Sequence, residues 1–237
     1  MLTNNNRLIL SVKDLKVNFR GDERVARVLD GVSYDVHESE TVCLVGESGC
    51  GKTVSALTIL GLIPRPPGEI ESGRVFFQDQ NLLDLDEEEL QHVRGNRIAM
   101  VFQEPMTSLN PVFTIAAQIG EAILVHEDLD EEAVEERCIG LLQDVGIPSP
   151  KERLRDYPHQ LSGGQRQRVM IAMALACNPA VVIADEPTTA LDVTIQAQIL
   201  HLFGELKARR RLSLLYITHD LGVVSNIADT IYVMYAG

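Results

Sequence analysis

One segment, Gly46-Glu-Ser-Gly-Cys-Gly-Lys-Thr53, constrains the fold of this chain more than any other. It matches the pattern G-x-x-x-x-G-K-[ST], follows an apolar run at residues 41–45 and precedes a helix-compatible run at 54–62. A strand, a glycine-rich turn and a helix in this order aim backbone N–H groups and a helix N-terminus at one anion. In this pattern the lysine adds a positive charge for β- and γ-phosphates, and the threonine hydroxyl is placed to bind Mg²⁺. The sequence therefore predicts a nucleotide-binding loop made of Gly46, Glu47, Ser48, Gly49, Cys50, Gly51, Lys52 and Thr53.

The hydrophobic pattern around this loop predicts an α/β fold. Short β-branched runs broken by polar residues indicate strands of a half-exposed sheet at 7–19, 28–37 and 73–79. Nearly continuous apolar runs indicate strands buried on both faces of a mostly parallel sheet at 41–45, 98–102, 181–184, 214–217 and 231–234. Helical periodicity fills the intervals, and the stretch 104–161 lacks strand signals, which indicates a helical insertion.

Composition excludes several classes of function. The 237 residues include 34 acidic and 21 basic side chains, for a net charge of −13. This balance argues against non-specific nucleic-acid binding and against adsorption to an anionic membrane, since both depend on Lys and Arg. The longest apolar run, 169–177, is far shorter than the ~20 residues that span a bilayer, and no signal peptide is evident. We therefore expect a soluble cytoplasmic protein.

The four cysteines, at positions 43, 50, 138 and 177, lack the spacing of metal ligands. In a chain of this length they are too few for a disulfide scaffold. We expect them to be reduced and buried.

Two acidic residues end one of the apolar runs. Val181-Val-Ile-Ala-Asp185-Glu186 places its carboxylates at the carboxyl end of a strand, where α/β sheets bind ligands. Together with the upstream loop, this predicts that Asp185 holds Mg²⁺ and that Glu186 orients and polarises a water molecule.

A third motif, Leu161-Ser-Gly-Gly-Gln-Arg-Gln-Arg-Val169, indicates a second anion site. Ser162 is placed to cap a helix running to about residue 177, and Gly163 and Gly164 allow close backbone approach at its N-terminus. With this motif, which includes Gln165, the chain resembles the ATP-binding-cassette (ABC) ATPases. The resemblance implies a RecA-like P-loop NTPase core with an antiparallel β subdomain and an inserted α-helical signature subdomain. The corresponding boundaries are 1–103 and 162–237 for the core with its β subdomain, and 104–161 for the insertion.

The resemblance also implies a shared site. Two phosphate-binding helix ends about 110 residues apart do not fit one γ-phosphate within one subunit, and in this family two cassettes pair head to tail. Gln103 matches the Q-loop, which contacts Mg²⁺ and the attacking water. Asp192, in the motif 190–192, matches the D-loop at the dimer interface, and His219 matches the switch histidine on the γ-phosphate. Phe19 lies about where the family places an adenine-stacking aromatic, although plain core packing explains it nearly as well.

Within the ABC ATPases, the chain most resembles the ATP-binding subunits of dipeptide and oligopeptide importers. It lies in the segments 103–111, 156–160 and 184–193. It implies ATP and Mg²⁺ as ligands, and as partners a second ABC ATPase subunit, two transmembrane permease subunits and, indirectly, an extracytoplasmic binding protein. The expected location is peripheral, on the cytoplasmic face of the inner membrane. The transported solute and the choice between homodimer and heterodimer stay open.

Two other functions are alternatives to import. A soluble ABC ATPase acting on nucleic acid or ribosomes would carry a large insertion, zinc-type cysteine pairs or a basic surface. Only a short insertion separates Gln103 from Ser162, and the charge is strongly negative. An exporter cassette would favour fused membrane segments or a different Q-loop region. Because importers of this group usually extend past residue 237, we expect a fragment, or the first half of a tandem protein, without the family's C-terminal extension.

Overall fold

The computed structural model describes residues 7–21, 24–103, 108–189 and 191–237. Its first layer is an antiparallel sheet in the order β2-β1-β4-β5. These strands are β1 (Leu8–Arg20), β2 (Val25–His37), β4 (Gly68–Phe77) and β5 (Gln80–Asn81). The half-exposed sheet predicted from the sequence is confirmed, although β4 begins five residues earlier than expected.

A five-stranded parallel sheet forms the centre of the molecule, in the order β6-β7-β8-β3-β9. Its strands are β3 (Thr41–Val45), β6 (Ile98–Val101), β7 (Val181–Asp185), β8 (Ser213–Thr218) and β9 (Thr230–Val233). Every residue of β3, β7 and β8 is buried, as their apolar runs predict. The prediction for 231–234 is wrong in one respect. Strand β9 pairs only with β3 among the described strands, so it lies at the sheet edge and leaves Ile231 and Val233 exposed.

Helices surround the parallel sheet. They are α1 (Lys52–Ile59), α2 (Glu87–Val93), α3 (Ile115–Leu124), α4 (Glu131–Asp144), α5 (Pro150–Arg153), α6 (Gly163–Ala174), α7 (Val193–Arg210) and α8 (Leu221–Ile227). Several begin at a side-chain cap: the Asp130 carboxylate, for example, accepts a hydrogen bond from the N–H of Ala133 at the start of α4. Within the described chain, no helix is both long and apolar enough to cross a membrane.

Alternate residues of the buried strands supply two separate cores. Cys43 and Val45 of β3 face a core that includes the apolar sides of α3, α4, α6 and α7. Val42 and Leu44 face the opposite core, which includes α1 and the antiparallel sheet. All four cysteines are free and buried, as expected. The parallel sheet is thus covered on both faces, and the ends of its strands are left to form a site.

Candidate active site

The carboxyl ends of four adjacent parallel strands meet at one edge of the central sheet. The glycine-rich loop follows β3, Gln103 follows β6, Glu186 follows β7, and His219 follows β8. They border a cavity of about 830 Å³ that is also lined by the loop residues Gly46, Glu47, Ser48, Gly49, Gly51, Lys52 and Thr53. The structure therefore brings the glycine-rich loop, Gln103, Glu186 and His219 into one place.

The loop between β3 and α1 has the backbone geometry of an anion cradle. Gly49 and Gly51 have φ values of +84° and +101°, in the left-handed region that favours glycine. The Lys52 side chain is only 5% exposed, and its Nζ donates to the carbonyl oxygens of Gly46 (2.8 Å) and Glu47 (2.9 Å). The ammonium group is thus held inside the curl of the loop, at the start of α1. Cys50 is buried beneath the loop, with its Sγ 3.8 Å from Lys52 Nζ.

The carboxylate of Glu186 accepts hydrogen bonds from three side chains. His219 Nδ1 lies 3.0 Å from Oε1, Gln103 Nε2 lies 3.2 Å from Oε2, and Thr189 Oγ1 lies 2.9 Å from Oε2. Burial acts to raise the pKa of Glu186, but the hydrogen bonds from His219 and Thr189 outweigh it, and the pKa lies below its usual value. The structure therefore holds an ionised carboxylate at the cavity wall.

Asp185, the last residue of β7, is almost fully buried and incompletely paired. Only 4% of the residue is exposed, and Oδ1 has no hydrogen-bond partner among the described residues. Burial is the main cause that raises the pKa of this carboxyl group, and a hydrogen bond from the Thr53 hydroxyl acts in the opposite direction. A buried carboxylate with one orphaned oxygen, next to a hydroxyl, fits the oxygen ligands that Mg²⁺ prefers.

The Leu161–Val169 motif lies elsewhere on the molecule. Ser162 caps α6 through reciprocal hydrogen bonds with Gln165: each residue's N–H donates to the other's side-chain oxygen, at 3.0 and 3.3 Å. A Cβ added to Gly164 would lie 2.8 Å from Ile195 Cγ2, so this glycine lets α6 pack closely against α7. A Cβ added to Gly163 would lie 3.8 Å from Leu191 Cδ2, an ordinary van der Waals distance. The described residues that line the cavity do not include 162–165. One chain alone does not bring this helix end to the cavity.

Two other predicted site residues, Asp192 and Phe19, are not among the described residues that line the cavity. Asp192 caps α7, where its carboxylate accepts from the N–H of Ile195 at 2.9 Å, while its neighbour Ala190 lies outside the described residues. Phe19 is half-buried, packs against the core on the β-sheet side and is not among the described residues that line the cavity.

The cavity lining also includes residues that were not predicted as site residues, and two of them are Val28 and Thr189. Val28 is the extra residue of a β-bulge, between the pairs Leu29–Val17 and Arg27–Asn18. A bulge of this kind has no clear signal in a single sequence. Thr189, the second, is three residues from Glu186, and only this short spacing could have suggested the contact.

Comparison with known proteins identifies the family of the chain. A family model described as ABC transporter matches residues 29–189, more than half of the chain. A probable peptide ABC transporter ATP-binding protein of Sinorhizobium fredii is 53% identical over 97% of this chain and 69% of its own length. A dipeptide transport ATP-binding protein of Bacillus subtilis is 50% identical over 97% of this chain and 68% of its own length. The chain spans about two thirds of the length of these relatives.

A solved structure extends the comparison to the fold. The ATP-binding cassette MJ0796, in a dimeric post-hydrolysis state with ADP and Pi, superposes with a TM-score of 0.85 at 28% identity. The match covers 97% of this chain and 95% of that one. The expected P-loop NTPase fold is thereby confirmed. The chain belongs to the ABC transporter family, and its fold is that of an ATP-binding cassette.

Proposed function

We propose that this chain is the ATP-hydrolysing subunit of an importer for peptides or related small solutes. The observation that carries the proposal is the Glu186 carboxylate, ionised and fixed by His219 and Gln103 at the wall of the cavity that holds Lys52. The two relatives above are peptide and dipeptide transport ATP-binding proteins, and this supports the choice of solute.

The chemistry follows from the positions of the groups. The loop amides and Lys52 bind the phosphates of ATP, and Glu186 orients a water molecule and accepts its proton as the water oxygen bonds to the γ-phosphorus. The bond from that phosphorus to the bridging oxygen breaks, so ADP and phosphate leave, and Glu186 returns the proton to solvent. His219 contacts the terminal phosphate, and Gln103 contacts the water. Hydrolysis therefore needs positioning and charge stabilisation but no covalent intermediate.

Asp185, Thr53 and Gln103 are the side chains that would hold Mg²⁺, which supplies charge neutralisation at the β- and γ-phosphates. The support is the orphaned Asp185 Oδ1 and the Thr53 hydroxyl that bonds to the same carboxylate.

Replacement of Asp185 by Asn is expected to weaken Mg²⁺ binding and to raise thermal stability. We expect the nucleotide-free variant to melt higher by about 2–5 °C, because it no longer buries a charge with an unpaired oxygen, a cost of about 1–2 kcal/mol. We also expect hydrolysis to need a higher Mg²⁺ concentration and to fall at saturation. Calorimetric melting without nucleotide and an Mg²⁺ titration of ATPase activity measure the two effects. A lower melting temperature together with an unchanged Mg²⁺ requirement would contradict this account of Asp185.

The position of α6 supports a head-to-tail pair of cassettes. Its N-terminus, with Ser162 and Gly164, is absent from the described lining of the cavity in its own chain and is free to face the nucleotide of a second ATPase subunit. In such a pair ATP closes the dimer and release of phosphate opens it. The likeness to a cassette solved as a dimer supports this arrangement.

An apolar groove beside Gln103 is the proposed contact for the permease. It measures about 270 Å³ and is lined by Leu62, Phe102, Met170 and Met173, of which Leu62 and Phe102 are among the exposed large hydrophobic residues. A cytoplasmic helix of a transmembrane permease subunit in this groove would contact Phe102, the residue that precedes Gln103. Such binding would couple ATP hydrolysis to transport and hold the chain at the cytoplasmic face of the inner membrane.

Co-expression with transmembrane permease subunits of a peptide importer from the same genome tests the transport assignment. We expect the chain to co-purify with these subunits and its ATPase activity to rise severalfold when a peptide-loaded binding protein is added to the reconstituted complex. The variant Phe102→Asp should lose co-purification and keep basal ATP hydrolysis. Stimulation by DNA or ribosomes, with none by the reconstituted permease, would favour a soluble cassette ATPase instead.

A further inference from the structure

The three hydrogen-bond donors to Glu186 differ in where they come from. Gln103 follows β6 and His219 follows β8, so both reach Glu186 from neighbouring strands. Thr189 belongs to the same short turn as Glu186, and its hydroxyl makes the shorter of the two bonds to Oε2, 2.9 Å against 3.2 Å.

The backbone fixes this turn independently of the other two donors. Glu186 has φ +44°, a left-handed conformation that is unusual for a residue with a side chain, and its N–H donates to the carbonyl oxygen of Ile217 at 3.0 Å. The Glu186 carbonyl then accepts the N–H of Thr189 at 3.3 Å. Thr189 therefore stays beside Glu186 when side chains on other strands move.

The two remote donors have other tasks in the proposed reaction. Gln103 serves Mg²⁺ and the water, and His219 serves the γ-phosphate, so ATP competes with Glu186 for both of them. When they turn to the nucleotide, Thr189 is the donor among these three that remains on the carboxylate. A water molecule can then replace His219 at Oε1, the oxygen that Thr189 leaves free.

We propose that Thr189 is a positioning residue, whose hydroxyl holds Oε2 of Glu186 so that Oε1 faces the attacking water. The inference rests on the proposed ATPase function. Its consequence is specific: Thr189 affects turnover of bound ATP and not the binding of ATP, because the loop and Lys52 bind the phosphates.

The chain contains a matched control one residue away. Thr188 is buried, and its hydroxyl pairs with the Tyr216 hydroxyl at 3.3 Å, whereas the Thr189 side chain is exposed. The variants Thr188→Val and Thr189→Val each remove one hydroxyl group and keep nearly the shape of the threonine side chain. Thr189→Ser keeps the hydroxyl and removes the methyl group.

Steady-state ATP hydrolysis by these three variants and by Glu186→Gln tests the proposal. We expect kcat of Thr189→Val to fall about tenfold with KM for ATP unchanged, since a hydrogen bond to a charged group is lost. We expect Thr189→Ser and Thr188→Val to stay within about twofold of the unaltered protein. A Thr189→Val kcat equal to that of Thr188→Val, or a Thr189→Ser kcat as low as that of Thr189→Val, would overturn the role of the hydroxyl while Glu186→Gln is inactive. Full activity of Glu186→Gln would instead overturn the proposed function, and the inference with it.

Discussion

Replacement of Glu186 by Gln is expected to lower ATP turnover by about 10²- to 10⁴-fold, the usual contribution of a general base or water-orienting group. The amide keeps the shape of the side chain, but it lacks the negative charge that polarises water and accepts a proton. Nucleotide binding should be unchanged, because the proposed phosphate contacts come from the loop and Lys52 and not from Glu186. Release of inorganic phosphate and calorimetric titration with ATP measure the two quantities.

A second property should accompany this loss of turnover. Because ATP binds and is not consumed, the Glu186→Gln variant should accumulate as a closed dimer, visible by sedimentation. The control is Glu132→Gln, which removes one negative charge from the exposed first turn of α4 and should hydrolyse ATP normally. Turnover close to that of the unaltered protein in Glu186→Gln would remove this residue from its assigned role.

Replacement of Lys52 by Ala is expected to weaken ATP binding by about 10²-fold. In the proposed site the ammonium group would provide charge-assisted hydrogen bonds to phosphate, each worth about 1.5–3 kcal/mol. It also bonds to the Gly46 and Glu47 carbonyls, so the variant loses a contact that keeps the loop curled before ATP arrives. The dissociation constant from calorimetry is the measurement.

The control for this change is Lys151→Ala. Lys151 is an exposed residue of α5 outside the described lining of the loop cavity, and its removal should leave ATP affinity unchanged. Equal dissociation constants for Lys52→Ala and the unaltered protein would contradict the assignment of the phosphate site.

The features that sequence alone could predict are those fixed by local pattern. Buried parallel strands appear as apolar runs, and the loop at 46–53 is recognised by the spacing of its glycines and lysine. Since parallel strands end at one edge, the proximity of Gln103, Glu186 and His219 also follows from their positions after three such runs.

The features that sequence could not predict depend on tertiary pairing. An apolar run does not reveal that β9 lies at an edge, because exposure depends on which strands are neighbours. The bulge that turns Val28 to the cavity depends on the register between β1 and β2, and the bond from Thr189 depends on the left-handed backbone of Glu186. The unpaired oxygen of Asp185 likewise depends on the tertiary packing around β7.

The identity of the nucleotide that remains bound after incubation with ATP and Mg²⁺ is the sharpest test of the role of Glu186 in hydrolysis. Protein separated from free nucleotide is denatured, and the released ATP and ADP are measured by chromatography. We expect the Glu186→Gln variant to retain ATP, whereas the unaltered protein will have converted its ATP to ADP and phosphate. ADP in both samples, formed at equal rates, would contradict the role of Glu186 and with it the proposed mechanism.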